Sequence, residues 1–279
     1  MSVTFRMLQW CSFAAVLSAL LGVAPAVAGV PLANYRSVHD LSLAVGADMS
    51  EAGAVKARLV TEFTGSRCSG YTTRLRFVTR STGEEGEVRT DDVRSVMFET
   101  VDGFYEFTHE TYAEDELVEV SAGIAERKDD AIAVTLAEPT EASVSIPAET
   151  AYPTEQVLWV LEAATAGKRF VAFDLYDGTE GGEVVYSTST VIGRASTDAD
   201  DLGVETSIAD AGFAGQRHWP VTISYFRQPA GTDMTPDYTM SLIVYENGVS
   251  RDINLDYGGF ALAGKLTQLE VLPTPACPD

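Results

Sequence analysis

The sequence predicts an all-β fold, an antiparallel sheet of roughly a dozen or more strands with one packed α-helix. Three observations predict it: alternation of apolar and polar residues, turn residues at close intervals, and a single helical period near the middle. In "VKARLVTEF", Val55, Ala57, Leu59 and Phe63 share one face while Lys56, Arg58 and Glu62 share the other. "TRLRFVTR" repeats the pattern, with Leu75 and Phe77 opposed to Arg74 and Arg76. Successive strand side chains point to opposite faces, so both runs read as half-buried antiparallel strands.

Turn chemistry separates the runs. Asp102-Gly103 lies between "VRSVMFETV" and "FYEFTHETY", Asp177-Gly178 precedes Gly181-Gly182, and Asn247-Gly248 parts "DYTMSLIVYE" from "VSRDINLDY". Asn-Gly between alternating runs is a strong hairpin signal, because a type I′ turn needs positive φ at both central residues. The helix is expected near residues 154–167, with Thr154 as N-cap, Glu155 and Glu162 on the polar side, Val157, Leu158, Leu161 and Ala164 as the apolar stripe, and Gly167 as the stop. Pro139, Pro147 and Pro153 precede it as a connection between two sheet halves. A twisted open sheet rarely exceeds about ten strands, so a barrel-like or wrapped sheet is expected.

Residues 1–28 carry one charged side chain, Arg6, an apolar run from Trp10 to Val23, and Ala26-Val27-Ala28 before Gly29. That is the pattern of a cleaved signal peptide, and the run is shorter than the roughly 20 residues of a spanning helix. The expected domains are therefore a signal peptide at 1–28 and a single β-rich domain at 29–279. Cys11 leaves with the signal, and two cysteines remain in an exported chain, an even count in a compartment where disulfides persist. Cys68 then has one possible intramolecular partner, Cys277, and the alternative is two unpaired thiols.

With 41 acidic residues against 19 basic ones, one of them in the signal, the mature chain carries 18 − 41 = −23. Such a balance repels nucleic-acid phosphates and anionic headgroups, and nucleic-acid binding is not expected. His109 begins "HETYA", but a zinc motif needs a second histidine where Ala113 stands. His109 next to Glu110 on a strand is expected to face solvent, and His39 and His218 to be hydrogen-bonded structural residues. There is no G-x-S-x-G elbow. The acidic run from Asp198 puts Leu202 and Ala209 where a calcium loop needs ligands. Asp91-Asp92 and Asp200-Asp201 are adjacent, so on a strand each pair would face opposite ways. No catalytic residue, metal ligand or cofactor is assigned.

Several segments together resemble the EipB family of cell-envelope integrity proteins of Gram-negative bacteria: "YRSVHDLSLA", "EFTGSRCSGYTTRLRF", "TEQVLWVLEAATAGKRFVAFDLYDGTEGG", "HWPVTISYF" and "YENGVSRDINLDYGGFALAGKLTQLEVLPTPAC". The resemblance implies a periplasmic protein built as a spiralled, incompletely closed β-barrel, similar in outline to lipoprotein carriers, with Cys68 and Cys277 joined. It implies support of envelope integrity under stress rather than a reaction. The expected function is that of a non-enzymatic periplasmic factor that binds a protein or lipid partner on its curved sheet. The competing readings are a lipid or lipoprotein carrier, which needs an open apolar cavity, and a hydrolase whose groups come from distant strands.

Overall fold

The protein is described by a computed structural model covering residues 31–44, 54–83, 86–198, 206–229 and 235–277. The expected signal peptide and the acidic residues 199–205 lie outside the described residues. Eight strands come first: β1 (Asn34–Leu43), β2 (Ala54–Ser66), β3 (Gly70–Thr82), β4 (Val88–Glu99), β5 (Phe104–Ala113), β6 (Glu116–Arg127), β7 (Ala131–Glu138) and β8 (Ala142–Pro147). Helix α1 (Pro153–Thr165) follows, then β9 (Phe170–Leu175), β10 (Tyr186–Ile192), a short helix α2 (Thr206–Asp210), and the strands β11 (His218–Arg227), β12 (Tyr238–Tyr245), β13 (Ser250–Asp256) and β14 (Ala261–Leu272).

All fourteen strands form one sheet in the order β8-β7-β6-β5-β4-β3-β2-β1-β14-β13-β12-β11-β10-β9. Two meanders, β1 to β8 and β9 to β14, are thus joined through the antiparallel pairing of the first strand with the last. The sheet is wrapped but not closed, as expected, and β8 and β9 are its two edges. Between them Ala151 makes a single bridge to Leu175, donating its N–H to the Asp174 carbonyl at 2.8 Å and accepting from the Tyr176 N–H at 2.9 Å.

Helix α1 fills the interior of the second meander. Val160, Leu161, Ala163 and Ala164 pack with Tyr186, Trp219, Val221 and Tyr225 from β10 and β11. Its start differs from the expectation. Tyr152 is the N-cap, Pro153 opens the helix, and Glu155 folds back to accept the Tyr152 N–H at 3.0 Å. Thr154 is already inside the first turn because a buried carboxylate, described below, binds its N–H. At the other end Gly167 has φ 76°, and Lys168 and Gly167 donate to the Ala163 and Ala164 carbonyls. This is the left-handed stop that glycine allows, two residues past the last helical one. Val157 is exposed rather than part of the buried stripe.

Three other expectations need correction. Pro139 lies in the turn between β7 and β8 and Pro147 is the last residue of β8, so neither lies in the segment that leads to α1. The Asn247-Gly248 hairpin forms, but only Gly248 has positive φ, so its turn is not type I′. Glu114-Asp115, between β5 and β6, does have positive φ at both positions. Asp177-Gly178 is not a tight hairpin either. Residues 176–185 leave β9, cross the inner face of the first meander, and return as β10. There Tyr176 joins Tyr105, Phe107, Ile132, Val134 and Tyr152 in a second buried cluster. Tyr176 and Tyr152, both fully buried, belong to segments outside the first meander. Each contributes about 1.5–3 kcal/mol on burial, so this cluster is a main force holding the two meanders together.

Candidate functional site: the seam between the sheet edges

The two ends of the strand order meet at a seam, where β9 ends the sheet beside α1. Arg169 accepts from the Ile192 N–H and so faces β10, whereas Asp174 faces the seam. Strand alternation places the N–H and C=O of Ala172 and Phe170 on that same outer edge. Among the described residues, Asp174 and Tyr176 alone use theirs, in the bridge to Ala151. A groove of about 940 Å³ runs along this edge, lined by Trp159 and Ala163 of α1, its C-cap Ala166, Phe173 of β9 and Ser187 of β10. Trp159 and Phe173 meet edge to face, 5.2 Å between ring centres. Glu149, Glu162, Lys168 and Asp174 supply the charged part of the lining, and Phe170 at the strand's start is exposed.

A second, smaller cavity, of about 150 Å³, lies on the other side of α1's first turn, among Leu32, Tyr35, Phe63, Met97, Pro153 and Val157. Ligand pockets for drug-sized molecules run from about 300 to 1,000 Å³, so this cavity is too small for a lipid chain with its headgroup. Beside it, Glu99 of β4 is buried and accepts from the Thr154 N–H at 2.8 and 2.9 Å and from the Thr154 hydroxyl at 2.6 Å. Burial pushes its pKa up to about 7, against the opposing pull of those hydrogen bonds. Arg127 of β6 pairs with Glu155 at 2.6 and 2.7 Å and donates to the Thr150 carbonyl at 2.8 Å. Its guanidinium lies over the Tyr152 ring. Two side chains of the first meander thus grip the first turn of α1 and set the width of the seam.

His109 does not face solvent. It is buried on the inner face with Tyr105 and Phe107, its Nδ1 2.8 Å from the Ser95 hydroxyl and its Nε2 2.9 Å from the Asp177 carbonyl. Its position is in phase with those two aromatics, a signal the sequence contained. Tyr105 donates to the same carbonyl at 2.6 Å and Ser121 to the Gly178 carbonyl at 2.7 Å. The serine–histidine pair therefore anchors the 176–185 crossing. Asp177 directs its carboxylate to the Thr179 N–H and hydroxyl, not to the histidine. His39 is buried with Nε2 3.3 Å from the Ser250 carbonyl, and burial lowers its pKa to about 4. His218 contacts the Gln216 carbonyl and the Tyr245 ring. The structure brings none of these three together.

Cys68, in the turn between β2 and β3, is bonded to Cys277, with Cα atoms 5.7 Å apart. The tail after β14 reaches it by crossing the end of β1, where Asn34 donates to the Pro273 carbonyl at 3.0 Å.

A single wrapped antiparallel sheet, open along one seam and propped by an internal helix, defines the class: an incompletely closed, spiralled β-barrel. The chain belongs to the EipB-like family, whose profile matches residues 26–273. It is 34% identical over 267 residues to the cell envelope integrity protein EipB of Brucella abortus (strain 2308), covering 95% of this chain and 91% of that protein. It also superposes on the crystal structure of a β-barrel-like protein of a domain of unknown function from Brucella abortus. The TM-score is 0.81 at 33% identity, over 88% of this chain and all of that one.

Proposed function

We propose that this protein is a non-enzymatic factor of the periplasm, exported by a signal at residues 1–28 and folded as one domain, that supports cell-envelope integrity by binding a protein partner at the seam. The observation that carries the reading is the groove beside β9, where unpaired strand backbone lies next to Trp159 and Phe173. A free edge accepts an added strand through its main chain, and neighbouring apolar pockets select side chains. The family relationship supports the envelope role. The small size of the cavity beside Glu99, about 150 Å³, favours a protein partner over a carried lipid. The separation of Glu99, His39 and His109 supports a role without chemistry.

The test is complementation of a deletion strain, scored as survival on detergent. Wild type should restore growth, while Trp159→Ser and Ala172→Pro should not, although both purify folded. Proline at residue 172 removes an edge N–H without touching the β10 ladder. Full complementation by both variants would overturn the seam as the working surface.

A further inference from the structure

The formal charge of the chain is −22, yet its cations are not spread evenly. On β1 to β4 the outward positions, opposite the buried ones, carry Arg36, Lys56, Arg58, Arg74, Arg76, Arg80 and Arg94 against Asp40, Glu62 and Asp92. Seven of the chain's 19 basic residues and three of its 41 acidic ones thus share the outward face of these four strands, 7 − 3 = +4, and with Glu106 and Glu110 of β5 and Lys265 and Glu270 of β14 beside them the wider face is still positive, 8 − 6 = +2. Register brings like charges together: Arg76 stands directly opposite Arg94, and Lys56 opposite Arg80.

Like charges directly opposite are destabilising in a sheet, so internal pairing must be weighed first as the explanation. It accounts for part of the cluster. Arg58 forks onto Asp40 at 2.7 and 3.0 Å. The remaining carboxylates are shared: Asp92 takes Arg76 at 2.8 Å and Arg94 at 2.7 Å, and Glu62 takes Arg36 at 2.5 Å and Arg74 at 3.5 Å. Flanking carboxylates take up part of the excess, Glu270 of β14 binding Arg36 at 2.9 Å and Glu110 of β5 standing opposite Arg94, so the net positive charge is concentrated at Lys56, Arg74, Arg76 and Arg80. Arg74 and Arg76 are 57% exposed, and Arg94 is 45% exposed. Val60, Val78 and Val96 stand between the arginines, and two shallow depressions open on this face.

We propose that the outward face of β1 to β4 docks on a membrane surface bearing anionic phospholipid headgroups. The argument is charge complementarity and shape. Guanidinium forks match phosphate oxygens in bidentate geometry, and Arg76 and Arg94 are already held side by side by Asp92. These strands are paired on both sides, so no backbone is free to take up an acidic peptide strand, and the face presents a broad array in place of a cleft. The acids elsewhere on the molecule are screened beyond roughly 10 Å at moderate salt, so approach by this face is attractive while other orientations are repelled. Docked this way, the protein would face the bilayer with β1 to β4, and the seam is left to its partner.

The test is sedimentation of the mature protein with vesicles of pure phosphatidylcholine or of phosphatidylcholine containing 30% phosphatidylglycerol. We expect binding to the anionic vesicles alone, lost between about 50 mM and 500 mM salt. Lys56→Gln, Arg74→Gln and Arg80→Gln combined should weaken binding at least tenfold. That variant leaves Arg76 and Arg94 to neutralise Asp92 and Arg36 to neutralise Glu62, so the fold is kept, as circular dichroism would check. A control with Lys128→Gln, Arg169→Gln and Arg194→Gln has the same net charge and should bind like wild type. Absence of binding at low salt, equal binding to both vesicles, equal loss in the control, or binding of poly-glutamate in place of vesicles would each overturn the proposal.

Discussion

Cutting the bond between Cys68 and Cys277 should lower stability without opening the seam. The bond closes a separation of 209 residues, for which the chain-entropy relation gives about 5 kcal/mol at 25 °C, an upper figure that residual order in the unfolded chain reduces. Its position decides what else changes. The tail leaves β14 and crosses the end of β1 to the β2–β3 turn, and these strands are neighbours already joined by hydrogen bonds, so the clasp fastens the centre of the sheet order and not its two edges. Holding the two edges together is left to α1 and the 176–185 crossing. Cys68→Ser, Cys277→Ser and the double variant should each lose about 2–5 kcal/mol in urea titrations, with a Tm lower by roughly 10 °C. Reductant should bring wild type to the same value and leave the double variant unchanged. Hydrogen exchange in α1 should then accelerate only as far as global stability falls. Two free thiols per denatured, unreduced chain would refute the clasp, and selective opening of α1 in the double variant would refute its central placement.

Glu99→Gln tests the buried carboxylate. Its folded pKa, about 7, lies above the ordinary 4.5, so its protonated form stabilises the fold at low pH and that contribution is lost as pH rises from 4.5 through 7. The glutamine variant should therefore gain on wild type by on the order of 3 kcal/mol between pH 4.5 and 8, read from paired urea titrations; a constant difference would show that Glu99 does not titrate there. His39 works in the opposite sense, because its lowered pKa gives stability above 6.5 that is lost toward pH 4, so His39→Gln should flatten the acid limb of the stability profile. Gly178 has φ 75°, and a Cβ there would sit 2.5 Å from the buried Phe107 ring. Gly178→Ala should cost about 2 kcal/mol or more and expose the 176–185 crossing to proteolysis. His109→Gln should cost about 1–3 kcal/mol through its buried hydrogen bonds while leaving detergent survival intact at low temperature, and loss of survival in a folded variant would count against a structural role.

What the sequence shows plainly is what a single strand or helix decides by itself. The faces of β2 and β3, the turn at Gly103 and the stop at Gly167 follow from period and from glycine. Partners across long separations were not legible in the same way. Thr154 is an N-cap residue by type, and only the approach of Glu99, 55 positions away, explains why it lies inside the helix. His109 was misplaced by reading it against its neighbour Glu110, whereas its phase with Tyr105 and Phe107 put it inside. Asp177-Gly178 marks a turn without stating how far the chain travels before it pairs again, so the length of the 176–185 crossing is not written in it. The same limit governs charge. A net of −22 argues against anionic surfaces when averaged over the chain, and each strand shows only that Arg74, Arg76 and Arg80 alternate with apolar residues. It is the register, setting Arg76 against Arg94 and Lys56 against Arg80, that turns separate half-exposed cations into one basic face. A property of the assembled sheet, and of no strand within it, therefore decides how this acidic protein meets a charged surface.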